Sequence, residues 1–113
     1  MVEHFIGVDV GTGSARAGVF DPHGQLIGSA KSDIRVWRDA GDVVEQSSSD
    51  IWRAVCASVR GAISAAGIPP RSVVGLGFDA TCSLVVLGEG GRPIAAGASG
   101  DPERNIIVWM DHR

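Results

Sequence analysis

Apolar positions in the first third of the chain follow a short period. HFIGVDV (His4–Val10) is apolar and β-branched, the composition of a buried strand. After a turn at residues 11–13, SARAGVF (Ser14–Phe20) alternates. Ala15, Ala17 and Val19 share one face, and Arg16 and Gly18 the other. A period of two predicts a second strand and not a helix. DPHG at 21–24 has proline in its second position and predicts a tight turn. Residues 25–34 give a third strand, so the chain opens with an antiparallel meander.

The period changes near residue 50. Ile51, Val55, Val59 and Ile63 recur every four residues, and Ala54, Ala62 and Ala66 widen the stripe. This predicts a helix over 49–66. Ser47 and Asp50 stand in capping-box spacing before it, and Gly67 with Pro69 and Pro70 closes it. Residues 39–49 read as irregular and polar. Beyond the helix, 72–78 is a fourth strand, apolar enough to be central in a sheet. Residues 83–87 are a fifth. EGGR at 89–92 predicts a hairpin turn, with 93–96 pairing briefly, 98–105 a loop and 105–109 a last strand. Trp37 and Trp52 read as core. The order β-β-β-α-β-β-β describes an α/β unit, a mixed sheet of about five or six strands with a helix on one face.

Composition narrows the class. The 113 residues suit one modest domain, and an apolar content of 44% is enough to bury a core. The net charge is −3, and Lys31 is the only lysine among scattered basic residues. That balance argues against a nucleic-acid or anionic-membrane partner. No apolar run approaches the roughly 18 residues of a membrane span, and Glu3 and His4 interrupt any leader-like start. Cys56 and Cys82 are isolated, with neither CxxC spacing nor a secreted framework. A cytoplasmic protein with reduced thiols is expected. His4, His23 and His112 have no ligand spacing, so no zinc site is expected. The sequence stops at VWMDHR, directly after an apolar run, and this predicts a piece of something larger.

The chemistry concentrates in GVDVGTGSARAGVFD, residues 7–21. A Walker loop needs a lysine after its last glycine, and none stands there. A dinucleotide fingerprint is served by Gly11 and Gly13, but Arg16 occupies the third glycine position and the residues that follow are strand-like. The remaining anion-binding arrangement is a β-hairpin whose turn faces phosphates. Its glycines leave backbone N–H groups open to close approach, and Thr12 and Ser14 offer hydroxyls. Asp9 would repel a bare phosphate unless a divalent cation lay between them, through water in the case of Mg²⁺. The residues alone leave this nucleotide–metal site level with a plain glycine-rich hairpin carrying a solvated aspartate.

Four stretches in order carry a resemblance. DVGTGSARAGVFD, residues 9–21, is similar to the first phosphate motif of the sugar kinase and actin ATPase superfamily. GDVVEQSSSDIW at 41–52 resembles the Gly-Trp-x-Glu-Gln segment of the FGGY carbohydrate kinases, with Val43 in place of the tryptophan. GLGFDATCSLVVL at 75–87 sits where that family has a strand and a sugar-facing turn. IIVWMDHR at 106–113 matches its Trp-x-Asp-x-Arg motif. The whole chain, 1–113, resembles the first part of the FGGY N-terminal domain. Within the family, TCSLV at 81–85 is similar to the signature of D-ribulokinase-like pentulose kinases. Glycerol kinases usually carry Gln-Arg-Glu there, and xylulokinases Gln-Met-His. L-ribulokinases have a comparable small-residue turn, Thr-Ala-Cys-Thr, and are the nearer competitor.

The resemblance implies an RNase H-like, actin-like ATPase fold, with the rest of the first domain and all of the second beyond this chain. It implies ATP-dependent phosphorylation of a sugar hydroxyl, D-ribulose first, by the full-length protein, with ATP and Mg²⁺ as cofactors. Asp9 would orient the metal. Gly11, Thr12, Gly13 and Ser14 would contact phosphate, and Arg16 would neutralise its charge or be a surface strand residue. Asp79, Thr81 and Cys82 would face the sugar, Cys82 as a small packing residue, and Trp109 would lay its ring against sugar C–H groups. Asp111 and Arg113 would tie down the following loop. The family's catalytic base and its adenosine motifs lie in later segments, so the chain alone is expected to be inactive. Its uncovered sheet would favour self-association, and a homo-oligomer is possible for the whole. The competing classes are a non-catalytic actin-like ATP-binding module, which lacks the sugar-facing turn, and a plain structural domain.

Overall fold

The computed structural model describes residues 2–113. The opening meander forms as expected: β1 (His4–Val10), β2 (Ser14–Phe20) and β3 (Leu26–Asp33), antiparallel in sequence. A short β4 (Trp37–Asp39) and β5 (Val43–Gln46) lead into α1 (Ser48–Ala66). After it come β6 (Val73–Ala80), β7 (Leu84–Val85) and β8 (Ile106–Ile107). The α/β character holds, but the sheet is divided in two. One sheet has the order β3-β2-β1-β6, with β6 parallel to β1, and the other the order β4-β5-β8-β7.

Helix α1 covers one face of the first sheet. Its stripe, Ala54, Val55 and Ala62, packs on Ile6, Val8, Val10, Ala15, Ala17 and Val19. Every second residue of β1 points into this core and the others face out. Burying these aliphatic side chains is worth about 1.5–3 kcal/mol for each large one. The Ser47 hydroxyl caps the helix by accepting from the Asp50 N–H at 3.1 Å. Asp50 does not reciprocate as a capping box would. Its carboxylate accepts from the Arg35 N–H at 2.8 Å and from Arg53 at 2.9 Å. Gly67 ends the helix in the left-handed conformation, φ 67°. Helix and sheet approach closely at Gly28, where a Cβ would stand 2.5 Å from the Ala66 nitrogen.

Several expectations require correction. Residues 39–49, read as irregular, contain β5, whose Glu45 and Gln46 are polar yet 1% exposed. Trp52, read as core, lies off the helix stripe and is 62% exposed; Trp37 is half-buried beneath the Arg35 guanidinium, 4.4 Å away. Strand β6, read as central, has β1 as its one neighbour among the described residues, and its Leu76 and Phe78 are exposed. The last strand is shorter than expected. The 89–92 turn is present as a 3₁₀ turn closing a Leu87–Pro93 bridge.

Glu45 explains how a polar strand is buried. Its Oε1 accepts from Arg104 Nε at 2.8 Å and its Oε2 from the Arg113 guanidinium at 2.9 Å. Arg104 also pairs with Asp39, and Arg113 with Asp111. A buried charge left without partners would cost several kcal/mol, and among the described residues no buried side-chain polar atom is left so. Asp111 in turn accepts the Val44 N–H at 2.8 Å. The Arg113 hydrogen bond holds its carboxyl well below the usual carboxylate range. Asp111 and Arg113 thus fasten their segment to β5.

Candidate functional site

The β1–β2 turn is built by backbone bonds from three directions. Gly11 N–H donates to the Ser14 carbonyl at 2.9 Å. Ile34 N–H donates to the Gly13 carbonyl at 2.9 Å, fixing the turn to the end of β3. The Gln46 side-chain amide donates to the Thr12 carbonyl at 2.6 Å. No backbone acceptor takes the N–H of Thr12 or of Gly13 among the described residues. The turn therefore offers open donors, as an anion site needs.

Two further bonds bring the C-terminal motif to the same place. Trp109 Nε1 donates to the Thr12 hydroxyl oxygen at 3.2 Å, and the Trp109 N–H to the Ser83 hydroxyl at 3.2 Å. Indole N–H is a donor only, so the Thr12 oxygen must accept here, which leaves the hydroxyl proton free for an outside acceptor. Thr81 N–H donates to the Val10 carbonyl at 3.1 Å, just before the turn. Thr12 and Trp109 thus meet at one point, and Thr81 is anchored to the end of β1 two residues before Thr12. Cys82 is exposed, and Ser83 takes the contact with the tryptophan backbone. A small hollow of about 280 Å³ beside this point is lined by Gln46, Trp52, Phe78, Thr81, Ser83 and Ile106, among others.

Asp9, Arg16 and Asp79 stand on the other side, on the sheet face turned away from α1. Strand register puts Asp9 opposite Arg16 on β2 and opposite Asp79 on β6, and puts Arg16 opposite Lys31 on β3. A row of charge therefore crosses the sheet as Lys31, Arg16, Asp9, Asp79. No ion pair closes within the row among the described residues, so both carboxylates stay open. The next row is almost bare: Ser29, Gly18, Gly7, Gly77. Beyond it Leu26, Phe20 and Phe5 form an apolar bank. The charged row, the glycine row, Phe20 and Leu26 line an open groove of about 800 Å³.

The donors on this face are oxygens, the Asp9 and Asp79 carboxylates on adjacent strands. They fit a hard divalent cation that keeps most of its water, as Mg²⁺ does. Clusters of three or more metal-ligating side chains do not occur among the described residues. Sequence reading missed Gln46, Lys31 and Ser83. Lys31 was visible as the lone lysine, but its place in the charge row depends on register.

Comparison with known proteins gives the family. The sequence profile of the FGGY family of carbohydrate kinases, N-terminal domain, matches residues 4–113. The chain therefore belongs to the FGGY family of carbohydrate kinases and supplies its N-terminal domain segment. It is 46% identical over 110 residues to the human FGGY carbohydrate kinase domain-containing protein, covering 97% of the chain and 20% of that protein. It is 46% identical over 111 residues to a D-ribulokinase of Saccharomyces cerevisiae, covering 96% of the chain and 16% of that protein. The structure of a gluconate kinase from Lactobacillus acidophilus superposes with a TM-score of 0.78 at 20% identity, over 98% of the chain and 20% of the kinase. That last likeness speaks to the fold alone. The chain spans about a fifth or less of the length of these relatives. Its helix is not long and apolar enough to cross a membrane.

Proposed function

We propose that the full-length protein carrying this chain transfers the terminal phosphate of ATP to a hydroxyl of a pentulose, D-ribulose ahead of other acceptors. The observation that carries this reading is the bond between Trp109 and Thr12. It ties the residue expected at the sugar to the residue expected at the phosphate, so donor and acceptor sides meet within one hydrogen bond. Phosphoryl transfer asks the protein mainly to position groups and stabilise charge. The open N–H groups of the 11–13 turn supply donors for phosphate oxygens. Arg16 and Lys31 supply positive charge along the same sheet face.

Asp9 and Asp79 are the groups that would hold Mg²⁺, which screens phosphate charge when bound. Thr81 and Trp109 would meet the sugar, with Cys82 alongside. The TCSLV turn and the identity to the yeast D-ribulokinase favour D-ribulose. The unpaired Cys56 and Cys82 suit the reducing cytoplasm, where such a kinase would find its ATP. The test is a coupled assay of the full-length protein with D-ribulose, L-ribulose, D-xylulose and glycerol. D-ribulose should give the highest kcat/KM. A preference for glycerol above about tenfold, ~1.4 kcal/mol in the transition state, would refute the assignment of the turn.

A further inference from the structure

We infer that Gln46 is a positioning residue for the phosphate turn: it holds the Thr12 carbonyl inward so that the Gly13 N–H points out toward phosphate. This rests on the kinase reading above. Gln46 lies on β5, is 1% exposed, and reaches 34 residues back to the turn, donating to the Thr12 carbonyl at 2.6 Å. A trans peptide fixes its C=O and N–H on opposite sides of one plane, and no peptide in the described chain is cis. Whichever way the Thr12 carbonyl faces, the Gly13 N–H faces the other.

The direction matters because of sign. A carbonyl oxygen turned toward a nucleotide phosphate repels it, and an N–H attracts it. A two-glycine turn is free to flip this peptide, since glycine adopts either sense of φ at little cost. Gln46 removes that freedom. The Gly13 carbonyl is held by the Ile34 N–H in the same way, so two successive carbonyls of the turn are pinned to the protein. Strand β5 also pairs Gln46 with Ile106 on β8, three residues before Trp109. The pin and the tryptophan that binds Thr12 thus share one frame.

The test uses the full-length protein and two variants. Gln46→Met keeps the volume and loses the donor. Gln46→Glu loses it when ionised and regains one donor when protonated. We expect Gln46→Met to raise the KM for ATP about tenfold, ~1.4 kcal/mol, with the KM for D-ribulose unchanged. In Gln46→Glu the KM for ATP should rise likewise and recover as pH is lowered from about 8 to about 6, because burial raises a carboxyl pKa. A residue that only fills space would show no such recovery. Hydrogen exchange at the Gly11 and Ile34 amides, which donate to the Ser14 and Gly13 carbonyls of the turn, should quicken in both variants without ligand. If wild-type protein phosphorylates no sugar yet exchange quickens, the pin stands and the kinase reading falls. Unchanged exchange in a folded variant, or equal rises in both KM values, overturns the inference.

Discussion

Alanine at Gly28 tests how closely the helix and sheet are fitted. The backbone at Gly28 is not in the left-handed region, so alanine is conformationally allowed there. By itself the change would stabilise by about 0.4–1 kcal/mol, through the lower entropy of the unfolded chain. The new Cβ, however, would lie 2.5 Å from the Ala66 nitrogen, 2.7 Å from its Cα and 2.8 Å from its Cβ. Two of those atoms are backbone of the last helical turn, so rotamer change cannot relieve the clash. Forcing extra volume into a packed interface costs about 1–3 kcal/mol. The balance is a net loss of about 1–2 kcal/mol, roughly 5- to 30-fold in an opening equilibrium. Gly77 is the control, because a Cβ there meets nothing within 4 Å. Hydrogen exchange on the full-length protein reads the difference locally. Amides in the second half of α1 should lose about tenfold in protection in Gly28→Ala, and none in Gly77→Ala. Equal or greater protection in Gly28→Ala would refute the close-approach argument.

Three further outcomes are expected. Asp9→Asn should lower kcat of the full-length protein by about 10²–10³-fold, and Asp79→Asn should raise the Mg²⁺ concentration needed for half-maximal rate; retention of more than about a tenth of kcat by Asp9→Asn would remove Asp9 from the site. The Asp111 carboxyl is held below its ordinary value of 3.8 in the folded state. Its stabilisation is therefore complete above that value and is lost as pH falls below it. Asp111→Asn should lower the unfolding midpoint at pH 7, and the gap should narrow as pH falls below 3.8 and close only in strong acid, once the lowered folded-state carboxyl is itself protonated; a gap of constant size down to strong acid would show that the Arg113 hydrogen bond is not its cause.

The meander and α1 were legible because their signals are short-range. Alternation in β2, the four-residue stripe and the Ser47 and Gly67 caps all lie within a few positions of one another. Strand β5 was not, because Glu45 and Gln46 look solvent-bound in sequence. The groups that let them be buried, Arg104 and Arg113 on one and Thr12 on the other, lie 59, 68 and 34 residues away. Trp52 was read as core from its residue type, although its position lies off the helix stripe. The candidate site was legible in residue type but not in grouping. Asp79 was read beside Thr81 and Cys82, its neighbours along the chain. Only the parallel register of β1 and β6 brings it opposite Asp9.

The bonds that converge on Thr12 also order events in time. Gln46 closes a loop of 34 residues and Trp109 one of 97. Closing the longer loop costs about 0.9 kcal/mol more in chain entropy, and non-local pairings form late in folding. During synthesis the meander and α1 have all their mutual partners by residue 66. The turn can gain its Gln46 pin at that stage, while the Thr12 hydroxyl waits for the indole of Trp109. A nascent chain would thus assemble its scaffold before completing the link between donor and acceptor sides, and would carry a half-finished turn from the emergence of residue 66 until Trp109 has left the ribosome.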